Sequence, residues 1–375
     1  MEVNRGTVTE IVKPLLSAGA LRENSPEQIT PARAGRPPVG LTLSARRTFF
    51  VGVSLGVLTT RVGAATPDGS LFDEETFDTP HDPAEALARV RAAVERVRAA
   101  RPGWSVPFVG VSVPGPTDAG RERLLHAPHL GWRDVAVAEA LRQGEGGSHA
   151  KRPRATRVIV ENAANAAAVY EVRRRLRDHA DGAWRDFVMV RAGTGIGVGL
   201  VLGGEVYRGT GKAGGMAGEF GHMTIVARGR MCPCGSRGCW ERYASASSAA
   251  TTYAGGQTPA GGDGALRFKE IVARAEAGEP RARAVLGRVG EYLGLGIGNV
   301  IGGLGVARVV VSGRVVRGWK FIREPLHEAL ARTMAGRLTA WAVEAGEASG
   351  AELGGALEVA VEQYLTELVT RTRAA

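Results

Sequence analysis

The chain has 375 residues, a length that suggests two or three domains, and 44% hydrophobic content, enough for a large core. The formal net charge is +10, but 43 of the 48 basic residues are arginine. Such a skew, beside so much Ala and Gly, is what a GC-rich genome would write, so charge alone leaves nucleic-acid binding open. No apolar run reaches the roughly 18–20 residues that span a bilayer, and the N-terminus has no signal-peptide core. The expectation is a soluble cytoplasmic protein with no membrane partner.

In chain order, Val8, Ile11, Val12, Leu15 and Leu16 fall at i, i+3, i+4, i+7 and i+8, one face of a helix. Gly19 follows as a stop signal, and Pro14 inside the stretch predicts a kink or a cost of about 3 kcal/mol. Residues 22–38 are polar and rich in Pro and Gly. From about residue 46, buried-strand patterns at 49–54, 106–116, 157–162, 186–191 and 308–313 alternate with helical ones. The helices are predicted at 83–100, 134–142, 163–178, 279–300, 321–344 and 350–373. That alternation predicts parallel sheets with crossover helices. Residues 142–157 and 254–264 are predicted to be exposed connections.

The three cysteines, Cys232, Cys234 and Cys239, fall within eight positions. An odd, tightly spaced set is not a disulfide framework. With His222 ten residues upstream they form a Cys3His set, the donor pattern of a closed, structural zinc site. Gly235 and Gly238 would let the chain turn tightly around the ion.

The run GEFGHMTIVARGRMCPCGSRGCWERYAS, residues 218–245, closely resembles the signature of the ROK family (repressors, open reading frames and kinases). That signature is Gly-Glu-x-Gly-His, then Cys-x-Cys-Gly-x-x-Gly-Cys-x-Glu, and every position is filled. The resemblance extends from about residue 46 to 370, and weakly to residue 4. It implies an actin-like ATPase/sugar-kinase fold, ribonuclease H-like, with two α/β lobes around a cleft. The small lobe would hold about 46–160 plus the C-terminal helix. The large lobe would hold about 161–355 with the zinc motif.

The same resemblance implies a sugar site. Glu219, His222 and Glu241 match the family's sugar-contacting positions, with His222 serving metal and sugar through its two ring nitrogens. Gly115 in SVPGP, residues 112–116, would let the backbone approach the sugar, and HLGW at 129–132 also fits. Asn162 in VENAANAAAVYE, residues 160–171, would hold a sugar hydroxyl, although it also stands where a helix N-cap is expected.

Phosphoryl transfer needs a base for the hydroxyl proton and a cradle for the phosphates. The family's catalytic Asp position is Ala163 here, which cannot accept a proton. The family's Asp-x-Gly-Gly-Thr phosphate motif reads Ser54-Leu55-Gly56-Val57-Leu58, without its Asp, second Gly and Thr. The adenosine-side loop reads Ser312-Gly313-Arg314, where Arg314 could still touch a phosphate. One phosphate-type loop persists, Gly193-Thr194-Gly195-Ile196-Gly197, which is read as shaping a hairpin beside the sugar site. No catalytic residue is expected, and ATP is not expected as a cofactor.

Residues 4–23 and the Gly35-Arg36-Pro37 run resemble the recognition helix and wing of a winged helix-turn-helix. Residues 1–45 would be this partial head, with Asn4, Arg5, Thr7 and Arg36 toward DNA. The two helices that precede a recognition helix are not in the sequence, which leaves the Val8–Leu16 face without its usual cover. Either the true start lies upstream, which is the expectation here, or the head has decayed. The leading expectation is a sugar-responsive regulator, a homodimer or homotetramer on operator DNA, with a monosaccharide or amino sugar as effector. The alternatives are a ROK sugar kinase using another base, and a sugar-binding protein without DNA binding.

Overall fold

The structure is a computed structural model that describes residues 5–17, 19, 21–23, 40–44, 47–142, 156–178, 184–211, 214–255 and 264–374. The chain begins with α1 (Arg5–Ser17), β1 (Leu21–Glu23) and β2 (Leu41–Leu43). Next come β3 (Phe50–Leu55), β4 (Thr59–Ala65), β5 (Leu71–Asp78), α2 (Pro83–Ala99), β6 (Phe108–Val113), β7 (Leu124–Ala127), β8 (Trp132–Val135) and α3 (Val137–Arg142). β9 (Arg157–Asn162) and α4 (Ala163–Asp178) lead into β10 (Phe187–Ala192), β11 (Ile196–Leu202) and β12 (Glu205–Tyr207). A helical block follows: α5 (Glu241–Ala244), α6 (Ala246–Tyr253), α7 (Gly264–Glu276) and α8 (Pro280–Leu304). The chain ends with β13 (Arg308–Ser312), α9 (Trp319–Arg332), α10 (Met334–Leu338), β14 (Ala342–Ala345) and α11 (Ala351–Ala374).

Two five-stranded sheets organise these elements, in the orders β5-β4-β3-β6-β9 and β12-β11-β10-β13-β14. Both are mixed rather than purely parallel. β3 pairs parallel with β6 and antiparallel with β4, and β10 pairs parallel with β13 and antiparallel with β11. The antiparallel strands were the ones hardest to read in sequence. β5, LFDEETFD, is a charged and largely exposed edge, and β11, IGVGLVL, starts inside the expected phosphate loop and carries its Gly197.

Strand patterning follows from burial on both faces. Val51, Val53 and Leu55 of β3 join a core with α2, while Phe50 joins Phe108, Leu353 and Leu357 beneath α11. A strand covered on both sides reads as a continuous apolar run. α2 starts where Asp82 accepts a 2.9 Å bond from Glu85 N, with Pro83 as the first helical residue. α4 packs between the second sheet and α11, and α8 packs along α9 on the opposite face.

Two helix expectations are corrected. The 134–142 helix is β8 followed by α3 from Val137, because Trp132–Val135 pairs antiparallel with β7. The 321–344 helix breaks at Thr333, which is extended and caps α10 by accepting from Gly336 N at 3.0 Å. Its C-terminal end is the strand β14, parallel to β13. At the N-terminus, α1 runs through Pro14, and Val12, Leu15 and Leu16 are half-buried with α1 lying against α11. That face is therefore partly covered, not open. Residues 143–155 and 256–263, which make up most of the two expected connections, lie outside the described residues.

α11 sits directly on backbone. A Cβ on Gly110 of β6 would lie 1.9 Å from the Ala356 carbonyl oxygen. Neither partner is a side chain that can rotate away, so Gly110→Ala should lower stability by about 1–3 kcal/mol or more, as overpacking does. A thermal or urea melt reads this, and an unchanged midpoint would mean that α11 is not seated this way.

Candidate functional site

A cleft with a cavity of about 1080 Å³ is lined from the first sheet by Ser54–Thr59 and Pro114–Pro116, and from the second by Arg191 and Thr194–Gly197. The β9–α4 junction, Asn162–Ala164, lies between them.

At one end sits the knuckle of cysteines. The ligand atoms of His222, Cys232, Cys234 and Cys239 all lie within 4.8 Å of one another. Tetrahedral zinc with Zn–S of about 2.3 Å and Zn–N of about 2.0–2.1 Å needs sulfur pairs about 3.8 Å apart and nitrogen–sulfur pairs about 3.6 Å apart. Cys234 Sγ and Cys239 Sγ are 3.7 Å apart, and Cys232 Sγ lies 3.6 Å from His222 Nδ1. The donor set therefore fits a tetrahedral ion with Nδ1 as the fourth ligand. Burial pushes the Cys232 thiol well up and the Cys239 thiol up to about 11, so an ion would have to displace protons to bind.

Nδ1 on the metal side leaves His222 Nε2 facing Glu219 Oε2 at 3.8 Å. Glu219 opens a short 3-10 turn, Glu219–His222, that follows Gly218 in a left-handed conformation. Burial, with the neighbouring charge of Glu241, pushes the Glu219 carboxyl up to about 7. A divalent ion on His222 would draw it back down. Burial also opposes ionisation of Glu241. Bonds from His129 and the Cys232 thiol outweigh it, with help from the histidine charges, and hold Glu241 below the ordinary value. Cys232 Sγ donates to Glu241 Oε1 at 3.0 Å, and His129 Nε2 lies 3.3 Å from Oε2.

Gly115, Asn162, Glu219, His222 and Glu241, the five sequence-predicted sugar residues, all line this one cavity. Two have further structural reasons to be there. A Cβ on Gly115 would lie 2.0 Å from the His126 carbonyl, so backbone packing against β7 already requires glycine. Asn162 Oδ1 accepts from Ala164 N at 2.7 Å as the N-cap of α4, while its Nδ2 lies 3.5 Å from Glu219 Oε1. Thr194, Gly195 and Gly197 line the cleft; Gly193 does not, and its carbonyl accepts from Ala246 N. A Cβ on Gly195 would lie 2.2 Å from Glu241 Oε2, so this glycine makes room for the carboxylate.

Several groups were not picked out from the sequence. His129 faces Glu241 across the cleft from the β7–β8 turn; the HLGW match contained it without assigning it a role. Glu161, 1% exposed, accepts from Asn162 N and from Arg208 Nε at 2.8 Å, and pairs with Arg121 at 2.9 Å. Only the fold brings these arginines to β9. Arg191 pairs with Glu352 at the start of α11. Arg314, which the sequence did offer as a phosphate contact, donates Nη2 to Thr194 Oγ1 at 2.7 Å. Among the residues expected at DNA, Asn4 and Arg36 lie outside the described residues. Arg5 and Thr7 lie in α1, with side chains that are likewise not described.

A model of the ROK family matches residues 50–362. The chain belongs to the ROK family. ROK relatives include both enzymes and regulators. A ROK glucokinase from Streptomyces griseus, solved with glucose and AMPPNP, is 26% identical, with a TM-score of 0.68 over 84% of this chain and 99% of that one. The xylose repressor of Bacillus subtilis is 25% identical over 84% of this chain and 76% of its own length. The structure of a ROK transcriptional regulator, a homolog of the E. coli MLC protein, is 20% identical and has the same fold. Its TM-score is 0.74 over 98% of this chain and 92% of that one. The actin-like two-lobe ROK fold is thus shared with kinases and regulators alike. No helix among the described residues is long and apolar enough to cross a membrane.

Metal analysis of tag-free protein should return about one zinc per chain, and Cys234→Ser should lower that content and the melting temperature together. Less than about half an equivalent in wild type, with the chain folded, would count against the knuckle as a four-ligand site.

Proposed function

We propose that this chain is a sugar-responsive transcriptional regulator whose kinase-like cleft binds a monosaccharide or amino sugar without phosphorylating it. The observation that carries this reading is Ala163. It lines the cleft next to Asn162, at the position where the family's kinases place their base. A methyl group cannot take the hydroxyl proton, and a positioned general base is worth about 10²–10⁴-fold. Val57 and Leu58 line the same cleft where the family cradles phosphate, and a side chain there hinders close backbone approach.

Zinc, on His222, Cys232, Cys234 and Cys239, would be structural. It would fix the imidazole's tautomer and aim Nε2 into the sugar pocket. Glu219 and Glu241 would accept hydroxyl hydrogen bonds, and Asn162 would donate one through Nδ2. The first lobe would be residues 46–160 with α11, the second 161–355. The DNA-binding part would be α1 with the antiparallel pair β1–β2, a helix followed by a two-stranded wing. The 98% coverage of the regulator-like structural match supports that reading, because it takes in the N-terminal segment. Asn4, Arg5, Thr7 and Arg36 would face operator DNA from a dimer or tetramer. A sugar can drive such a switch only by binding the closed cleft better than the open one.

The test is a gel shift on DNA flanking the chain's own gene, with a panel of sugars. One sugar should change the shift of wild-type protein. Glu241→Ala should retain metal and DNA binding but lose that response. Sugar-dependent ADP release at an ordinary enzymatic rate, about 1–10³ s⁻¹, would overturn the reading in favour of a kinase.

A further inference from the structure

Glu161 is buried one residue before Asn162, and the protein itself takes up its whole carboxylate. Oε1 accepts from Asn162 N at 3.1 Å and from Asn165 Nδ2 at 3.2 Å. Oε2 accepts from Arg208 Nε at 2.8 Å and pairs with Arg121 Nη2 at 2.9 Å. A carboxylate offers about four such positions, so none is left for a ligand. Its two cations come from different places. Arg121 lies in the β6–β7 connection, and its carbonyl accepts from Val160 N of β9 at 2.8 Å, all on the side of the first sheet. Arg208, which is half-buried, follows β12, the edge strand of the second sheet.

Arg208 opens the connection that ends at Glu219. That connection is seated on the first sheet's side at a second point, Gly215. Its N–H donates to the Arg208 carbonyl at 2.6 Å, its φ is 88°, and a Cβ there would lie 1.8 Å from the Thr117 carbonyl oxygen. Shortly beyond it, Glu219 Oε1 lies 3.5 Å from Asn162 Nδ2. One carboxylate therefore fastens both approaches to this pair. Glu161 holds the Asn162 backbone directly, and it holds the start of the Glu219 connection through Arg208. Arg121 alone would neutralise Glu161, so the second arginine is not needed for charge; what it adds is a tie to the second sheet. We propose that Glu161 and Arg208 are positioning residues of the sugar pocket, which set the gap between Asn162 and Glu219 without touching the ligand. This rests on the reading that the cleft binds a sugar.

The test is calorimetry, well below the melting transition, on the zinc-loaded full chain with glucose, xylose and N-acetylglucosamine. Arg208→Gln leaves Glu161 paired with Arg121, so the chain should fold and keep its zinc. Its affinity for whichever of these sugars wild type binds should fall about tenfold or more, within the coupling range of residues that share one network. Arg121→Gln takes a cation from the same carboxylate without untying the sheets. It should leave that affinity within about threefold, even where it lowers the melting temperature more. Without sugar, amide hydrogen exchange over residues 214–222 should be faster in Arg208→Gln than in wild type or Arg121→Gln. An affinity loss in Arg208→Gln no larger than that in Arg121→Gln would overturn the positioning role and leave the sugar site standing. So would exchange over 214–222 that matches wild type. Binding of none of the three sugars by wild type would overturn the sugar reading and this inference with it.

Discussion

The site turns on one imidazole with two commitments. His222 Nδ1 sits at ligand distance from the sulfur cluster, and its Nε2 faces Glu219. Glu241, two residues beyond Cys239, takes the Cys232 thiol on one oxygen and His129 on the other. Metal knuckle and cleft are therefore one assembly. An ion that turned Cys232 into a thiolate would remove the donor to Glu241 Oε1 and free that oxygen for a ligand hydroxyl. It would also place positive charge beside the buried Glu241 and the half-buried Glu219, whose ionisation the Glu241 charge opposes. In this arrangement a structural ion would have a direct electrostatic effect on any ligand in the cleft.

The junction of β9 with α4 serves the same end from the other side. Asn162 is the last residue of β9 and the N-cap of α4, so its side chain is fixed by the requirement of starting the helix. Glu161 reinforces this through Asn162 N and Asn165 Nδ2 while neutralising Arg208 and Arg121. Arg208 follows the edge strand of the second sheet, whereas Glu161 lies in the first. A buried carboxylate holding cations from both sides ties the sheets together where the ligand would sit. Breaking such a pair leaves an uncompensated buried charge.

What could be read from the sequence divides along physical lines. Strands buried on both faces were legible because they read as near-continuous apolar runs, as in β3, β6, β10 and β13. The long helices α2, α4, α8 and α11 were legible from periodicity and from signals such as Asp82-Pro83. Edge strands were not: β5 is charged because its face is exposed, and β14 is four residues long and continued a helical pattern. Thr333 stops that helix through a local cap that periodicity does not register. The metal ligands are near neighbours in sequence, so their spacing could be read directly. The pairs His129–Glu241 and Arg121–Glu161–Arg208 join residues 40 or more apart, and no local pattern encodes them.

The same distinction explains which kinase-like features persist. Gly195 belongs to a loop that resembles a phosphate cradle, yet its missing Cβ is required by the Glu241 carboxylate. Gly115 is required by the His126 carbonyl. Such glycines are fixed by packing whether or not a nucleotide ever binds.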